Sequence, residues 1–295
     1  MKKILFMLFI VCFVMCSFAK IEVVTAYPYM NDLVQKIGKE KVSSMSLTGG
    51  SWDPHTIAPR PSLIAKVRNA DLLIINGAQL EIGWLPPLLN QANNPGVMPG
   101  KKGFLDLSNH AQLIQVPSSV SRAQGDIHPE GNPHFSLGPT NIPKISNAIA
   151  EKLSQLDTAN AQYYRSNNQT FSEQWRARLQ EWDRRMEPLR GSKYIEYHRN
   201  LDYFLEHYDL IVVETIEPLP GIPPTSKHIL ELIKKTESEQ IKLILHDVYH
   251  SKKSSRYLSR KTGIPYVIMP HDVGSVKEAT EIFSLFEEIL RRLGV

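Results

Sequence analysis

The chain has 295 residues, 42% of them hydrophobic and 22% charged, which is ordinary globular composition and excludes global disorder, collagen, a disulfide-dense scaffold and a polytopic membrane protein. Its length accommodates two domains. A formal charge of +4, from 34 basic and 30 acidic residues, is too small and too dispersed to point to nucleic acid.

The first nineteen residues read as a leader. Lys2-Lys3 supplies a basic start, Ile4 to Phe18 is an uncharged, largely apolar run, and Ser17-Phe18-Ala19 has the small–x–small form of a signal peptidase site. Fifteen such residues fall short of the roughly 20 that span a bilayer. Both cysteines, Cys12 and Cys16, lie inside this segment. Met15 stands where a lipobox wants a small residue, which disfavours a lipid anchor at Cys16. Cleavage after Ala19 leaves a chain with no cysteine and 32 basic against 30 acidic residues. Any metal site must then use His, Asp or Glu.

Ile21 to Ala26 reads as a first strand, followed by a helix from about Met30 to Ile37 and a strand over Lys41 to Leu47. Pro61 to Arg68 is a helix with Pro at its start, a position Pro tolerates. Asp71 to Gly77 is an apolar run closed by a turn, the pattern of a strand buried on both faces, and Leu80 to Leu89 returns to helix. Strand and helix alternating at this spacing argue for a parallel α/β sheet. Asn109 to Pro133 is loop-like, and Asn141 to Leu156 is helical. Between Asn160 and Met186 there is no Gly or Pro, and Tyr164, Phe171, Trp175, Leu179, Trp182 and Met186 form one stripe. That predicts a single helix of about 27 residues, roughly 40 Å long, running along or between domains. A second α/β set follows. Its strands are Tyr194 to Tyr197, Leu210 to Glu214, Ile241 to Leu245 and Tyr266 to Met269. Its helices are Ser226 to Thr236, with Ser226 as N-cap, then Lys252 to Thr262 and a closing amphipathic helix from Val276 to Leu293. The expected plan is a leader (1–19), an α/β lobe (20–159), a connecting helix (160–188) and a second α/β lobe (189–295).

Of ten histidines, four stand out. His55 lies in the loop before the Pro61 helix, and His134 in the Pro/Gly-rich stretch. His198 follows the strand ending at Tyr197, and His271 the strand ending at Met269. In open parallel sheets, ligands bind at the loops beyond the strand ends. Two of these histidines fall in each half, so a site that used all four would lie in an interlobe cleft.

The wording around these residues resembles the metal-binding solute-binding proteins of ABC transporters, the zinc/manganese cluster. The resemblance is carried by Trp52-Asp53-Pro54-His55, Pro61-Ser62, Ala70 to Gly77 with Glu81 and Trp84-Leu85, Asn132-Pro133-His134-Phe135, Tyr197-His198 with Tyr203-Phe204, and Asp247 with Ser251-Lys252. It implies two α/β lobes joined by one long rigid helix, with a metal in the cleft held by His55, His134 and His198. For the fourth ligand, spacing before Gly274 favours His271, charge balance favours Asp272, and water is a third candidate. Asp272 is the preferred one. A third histidine where manganese binders carry a carboxylate points to Zn²⁺. Zinc members often carry a His/Asp-rich loop before the second ligand. Here Gln124 to Glu130 is a short version, in which Asp126, His128 and Glu130 form a candidate capture loop, although a solvated loop is the plainer reading.

Glu217 to Pro224, five of whose eight residues are Pro or Gly, reads as a rigid loop that shapes the cleft. His246 and His250 flank Asp247 at a spacing that would suit a helix, but the position reads as a strand end; His110, His207 and His228 look like surface residues. The function expected is a periplasmic or otherwise extracytoplasmic zinc receptor that docks on a membrane permease and catalyses nothing. It would be a monomer and would not bind nucleic acid. The alternatives are a receptor for manganese or another divalent metal, a three-histidine zinc hydrolase with Asp272 or Glu214 as base, and a surface adhesin. No His-Glu-x-x-His motif supports the hydrolase.

Overall fold

A computed structural model describes residues 20–119, 125 and 128–295. The leader, with Cys12 and Cys16, and Asp126 of the capture loop lie outside the described residues. The first sheet has strands β1 (Ile21–Thr25), β2 (Val42–Ser46), β3 (Leu72–Ile75) and β4 (Phe104–Asp106), all parallel in the order β2-β1-β3-β4. The second has β5 (Lys193–Glu196), β6 (Ile211–Thr215), β7 (Ile241–His246) and β8 (Tyr266–Ile268), all parallel in the order β6-β5-β7-β8. The two sheets thus repeat one topology. Helices α1 (Pro28–Gly38), α2 (Pro61–Arg68), α3 (Leu85–Ala92) and α4 (Ile142–Leu156) accompany the first sheet; α6 (Asp202–His207), α7 (Ser226–Ser238), α8 (Lys253–Thr262) and α9 (Ile282–Leu293) accompany the second. One helix of 26 residues, α5 (Ala161–Met186), joins them, and its stripe of Tyr164, Phe171, Trp175, Trp182 and Met186 is buried.

Among the boundaries that differ from the sequence expectations, three have a clear local reason. α3 starts at Leu85 rather than Leu80, because Gly77, Ala78 and Gln79 all have φ between 48° and 80°, which no right-handed helix accepts. A Cβ at Gly77 would also fall 1.8 Å from Asp106 Oδ1. α7 is capped by Thr225, not Ser226, through the His228 amide at 3.2 Å. α9 starts at Ile282 rather than Val276, where the Glu281 side chain and Ser284 make a reciprocal capping box. The short β4 and α6 carry no periodicity that the sequence reading detected.

The closing helix does not stay with its own sheet. Its apolar face joins α5 and α1 in one core that spans both halves, with Phe286 stacked on Trp182 at 5.4 Å between ring centres. Polar ties reinforce the seam. The Ile282 amide donates to Asp32, Lys36 pairs with Glu281, and Arg185 pairs with Glu287 at 2.7 Å. On the same helix, Glu288 accepts from Arg291 and Arg292 at 2.5–2.6 Å, and chiefly the Arg291 hydrogen bond lowers its carboxyl to about 2. A depressed acid stabilises the fold above its ordinary pKa of 4.5, and that contribution is lost as pH falls from 4.5 through about 2. Glu288→Gln is expected to lower the unfolding free energy by about 1–3 kcal/mol at pH 7. The gap should close towards pH 2, as urea midpoints measured at several pH values would show.

Candidate metal centre

The site is assembled from the C-terminal ends of both sheets. After β2 the chain enters the loop of Asp53 and His55, which is pinned at Pro54: its carbonyl accepts from Tyr27 Oη at 2.9 Å and Trp84 Nε1 at 3.2 Å. Asp53 accepts from the His55 amide at 3.0 Å and pairs with its Nδ1 at 2.9 Å, which turns Nε2 away from the carboxylate. At the end of β3, Asn76 donates to the Pro133 carbonyl at 2.9 Å while Tyr29 donates to Asn76 Oδ1 at 2.7 Å. Asn132 in turn accepts from the His134 amide at 2.9 Å. From the second half, Tyr203 donates to the Asn132 carbonyl at 2.6 Å, so the two halves meet at this loop. His198 follows β5, and its Nδ1 lies 2.5 Å from Glu217 Oε2 on the loop after β6.

These anchors bring His55, His134 and His198 together. Their ligating nitrogens lie within 4.8 Å of one another, and the ring centres are 5.1–5.3 Å apart with planes at 72–84°. His134 Nε2 and His198 Nε2 are 3.2 Å apart. A tetrahedral zinc ion at about 2.0–2.1 Å from each nitrogen needs edges of roughly 3.3 Å. His134 and His198 are buried and His55 is half-buried. Burial, with the neighbouring rings, holds the His134 imidazole well below its ordinary 6.5, in the neutral form that ligates metal.

Neither candidate for the fourth position belongs to this group. Asp272 is buried, but its Oδ1 accepts from the Tyr29 amide at 2.8 Å and the Val273 amide at 2.6 Å. Through Oδ1 it therefore caps the first turn of α1 across the seam. His271 lies beside the loop of His55, with Nε2 3.3 Å from the Trp52 carbonyl. Its Nδ1 is buried and has no hydrogen-bond partner among the described residues, and burial pushes its pKa down to about 4. In the candidate capture loop, Glu130 is exposed. His128 is half-buried with its ring 5.6 Å from His55, and with Asn132, His134, His198 and Arg199 it lines a cavity of about 410 Å³.

The remaining histidines are not part of this group. His246 ends β7 with its ring buried between Ser255 Oγ (2.9 Å) and the His250 carbonyl (3.2 Å), so it does not pair with His250 on a metal. His250 pairs with Asp247 at 2.8 Å, and mainly that hydrogen bond raises its pKa against the effect of burial. His110 is exposed; His207 and His228 are half-buried, His228 held by the Thr215 carbonyl at 2.8 Å. The sequence reading missed Glu217 as a partner of His198. Its only signal was its place at the head of the Pro/Gly-rich loop.

Two parallel α/β sheets, a long connecting helix and a histidine trio at the strand ends define the substrate-binding component of a metal ABC transporter. The chain belongs to the family described as zinc-uptake complex component A, periplasmic, whose profile matches residues 23–293. It is 24% identical over 267 residues to the high-affinity zinc uptake system protein ZnuA of Bacillus subtilis, covering 88% of this chain and 81% of that one. It is also 24% identical over 226 residues to the manganese ABC transporter substrate-binding lipoprotein PsaA of Streptococcus pneumoniae, covering 74% and 70%. Among solved structures, a crystal structure of ZnuA matches with a TM-score of 0.75 at 22% identity, covering 94% of this chain and all of that one. A cadmium-bound periplasmic metal-binding protein from Candidatus Liberibacter asiaticus matches with a TM-score of 0.76 at 21% identity, covering 93% and 98%. Relatives are thus named for zinc and for manganese. Family members are substrate-binding proteins that work with a membrane permease, and relatives are named as lipoproteins or periplasmic proteins. No helix among the described residues is long and apolar enough to cross a membrane.

Proposed function

We propose that the protein is an extracytoplasmic zinc receptor, acting as a single chain, that takes Zn²⁺ between the lobes 20–159 and 189–295 and delivers it to a membrane permease. The observation that carries this reading is the imidazole trio of His55, His134 and His198, whose ligating nitrogens lie within 4.8 Å of one another with no carboxylate in the group. Neutral imidazoles suit zinc, whereas manganese prefers oxygen ligands. His271 supplies the fourth ligand through its unpartnered Nδ1, while Asp272 keeps its bonds to α1. A site closed by four protein ligands has no open position for a substrate, which argues for transport rather than catalysis. Both candidates for the base of a hydrolase are also engaged: Asp272 at the α1 terminus, and Glu214 with Lys235 at 3.1 Å.

Unfolding of the metal-stripped protein tests this. Zinc at a hundred times its Kd is expected to add about 2.7 kcal/mol of stability, and manganese at the same concentration far less. His271→Ala should reduce the zinc-dependent gain at fixed concentration, and Asp272→Asn should instead destabilise the metal-free protein. A manganese gain equal to that of zinc would overturn the zinc reading.

A further inference from the structure

Behind the histidine trio stand three carboxylates, Asp53, Glu217 and Asp247, and each is ion-paired only with histidine. Asp53 pairs with His55 at 2.9 Å; Glu217 pairs with His198 at 2.5 Å and faces His250 Nε2 at 3.9 Å; Asp247 pairs with His250 at 2.8 Å. Among the described residues, no Lys or Arg nitrogen stands within 4.0 Å of any of them. The Glu217 and Asp247 side chains are only 5% and 4% exposed, and that of Asp53 33%. A buried carboxylate with no cation is unfavourable unless hydrogen bonds or a counter-charge stabilise it. Asp247 has both locally, because it also accepts from the Tyr249 and His250 amides at 3.1 and 2.8 Å. Glu217 has one backbone donor, Gly221 at 3.1 Å, and Asp53 has the His55 amide. Beyond that, Asp53 faces the Nδ1 edge of His55, and Glu217 faces the Nδ1 edge of His198 and, at 3.9 Å, His250 Nε2.

We propose that Asp53 and Glu217 are positioning residues that balance the charge of the bound ion from behind its ligands. Two carboxylates match one dipositive ion, each one imidazole away from it, so the coordination sphere itself needs no carboxylate. Each also accepts from Nδ1–H of its histidine, which fixes the tautomer whose Nε2 lone pair faces the ion. The inference rests on the reading of His55, His134 and His198 as ligands.

The test compares Glu217→Gln and Asp53→Asn with the wild type by competitive titration of the metal-stripped protein with zinc and with silver(I). Silver(I) also accepts imidazole nitrogen but carries half the charge. Glu217→Gln is expected to weaken zinc by about 10–100-fold, and Asp53→Asn by roughly the lower end of that range, because its carboxylate is more exposed to water. The metal-free melting midpoint of Glu217→Gln should not fall. On a logarithmic scale the loss for silver(I) should be about half that for zinc, since Coulomb energy scales with ionic charge. Zinc affinity within twofold of wild type in both variants would overturn the inference, as would equal losses for the two ions. Failure of the wild type to bind zinc would instead bring down the functional reading beneath it.

Discussion

His198→Ala is expected to weaken zinc binding by roughly 10²–10³-fold. A protein zinc site yields about 10–16 kcal/mol, so each of four ligands carries about 2.5–4 kcal/mol. His134→Ala and His55→Ala should lose comparable amounts, because the three nitrogens form one group within 4.8 Å. His198→Ala has a second consequence. It strips the buried Glu217 carboxylate of its closest partner, 2.5 Å away, so this variant should also be the least stable of the three without metal. His228→Ala is the control: its ring serves the Thr215 carbonyl on another face, and zinc affinity should stay within about twofold. Competition against a chelator of known affinity measures all four. Equal losses at His198 and His228 would show that the trio is not the binding site.

The largest loss of stability is expected at Trp182, in the middle of the seam. Its indole is fully buried, stacks on Phe286 at 5.4 Å, meets Trp175 edge-on at 5.2 Å and donates to Glu287 at 2.7 Å. Trp182→Ala removes those contacts from α5 and α9 together. The expected cost is about 3–5 kcal/mol, a large part of the 5–15 kcal/mol that typically holds a protein folded. By size scaling that lowers the melting midpoint by roughly 10 °C. Arg178→Ala, on the exposed side of the same helix, should change stability by less than about 1 kcal/mol, as its ion pairs are solvated. Denaturant unfolding of the two variants decides. A loss below about 1 kcal/mol at Trp182 would mean that the closing helix contributes little to joining the halves.

The parallel sheets and the connecting helix were legible in the sequence because their signals are local. Leu72 to Ile75 is an uninterrupted apolar run, the Pro61 helix opens on a proline, and the α5 stripe repeats every three or four residues. The association of the closing helix with α1 was not legible, since its determinants, Asp32 with Ile282 and Lys36 with Glu281, lie some 245–250 residues apart. The false starts of α3 and α9 share another cause. Apolar periodicity runs on through residues 80–84 and 276–281, but positive φ angles and a capping box decide where the helix begins. At the site, the sequence singled out the three histidines that converge, through the words around them. It could not separate His271 from Asp272. Adjacent residues point in different directions, and only the fold shows that the carboxylate is turned to the Tyr29 amide. Glu217 was hidden for a similar reason: its role depends on a contact nineteen residues away in sequence.

The central claim is one tight zinc site per chain, and calorimetric titration of the metal-stripped protein with zinc and manganese, with metal analysis of the product, addresses it most directly. The account predicts one zinc bound per chain with high affinity and manganese bound much more weakly. Sub-stoichiometric zinc, or manganese bound as tightly as zinc, would contradict it.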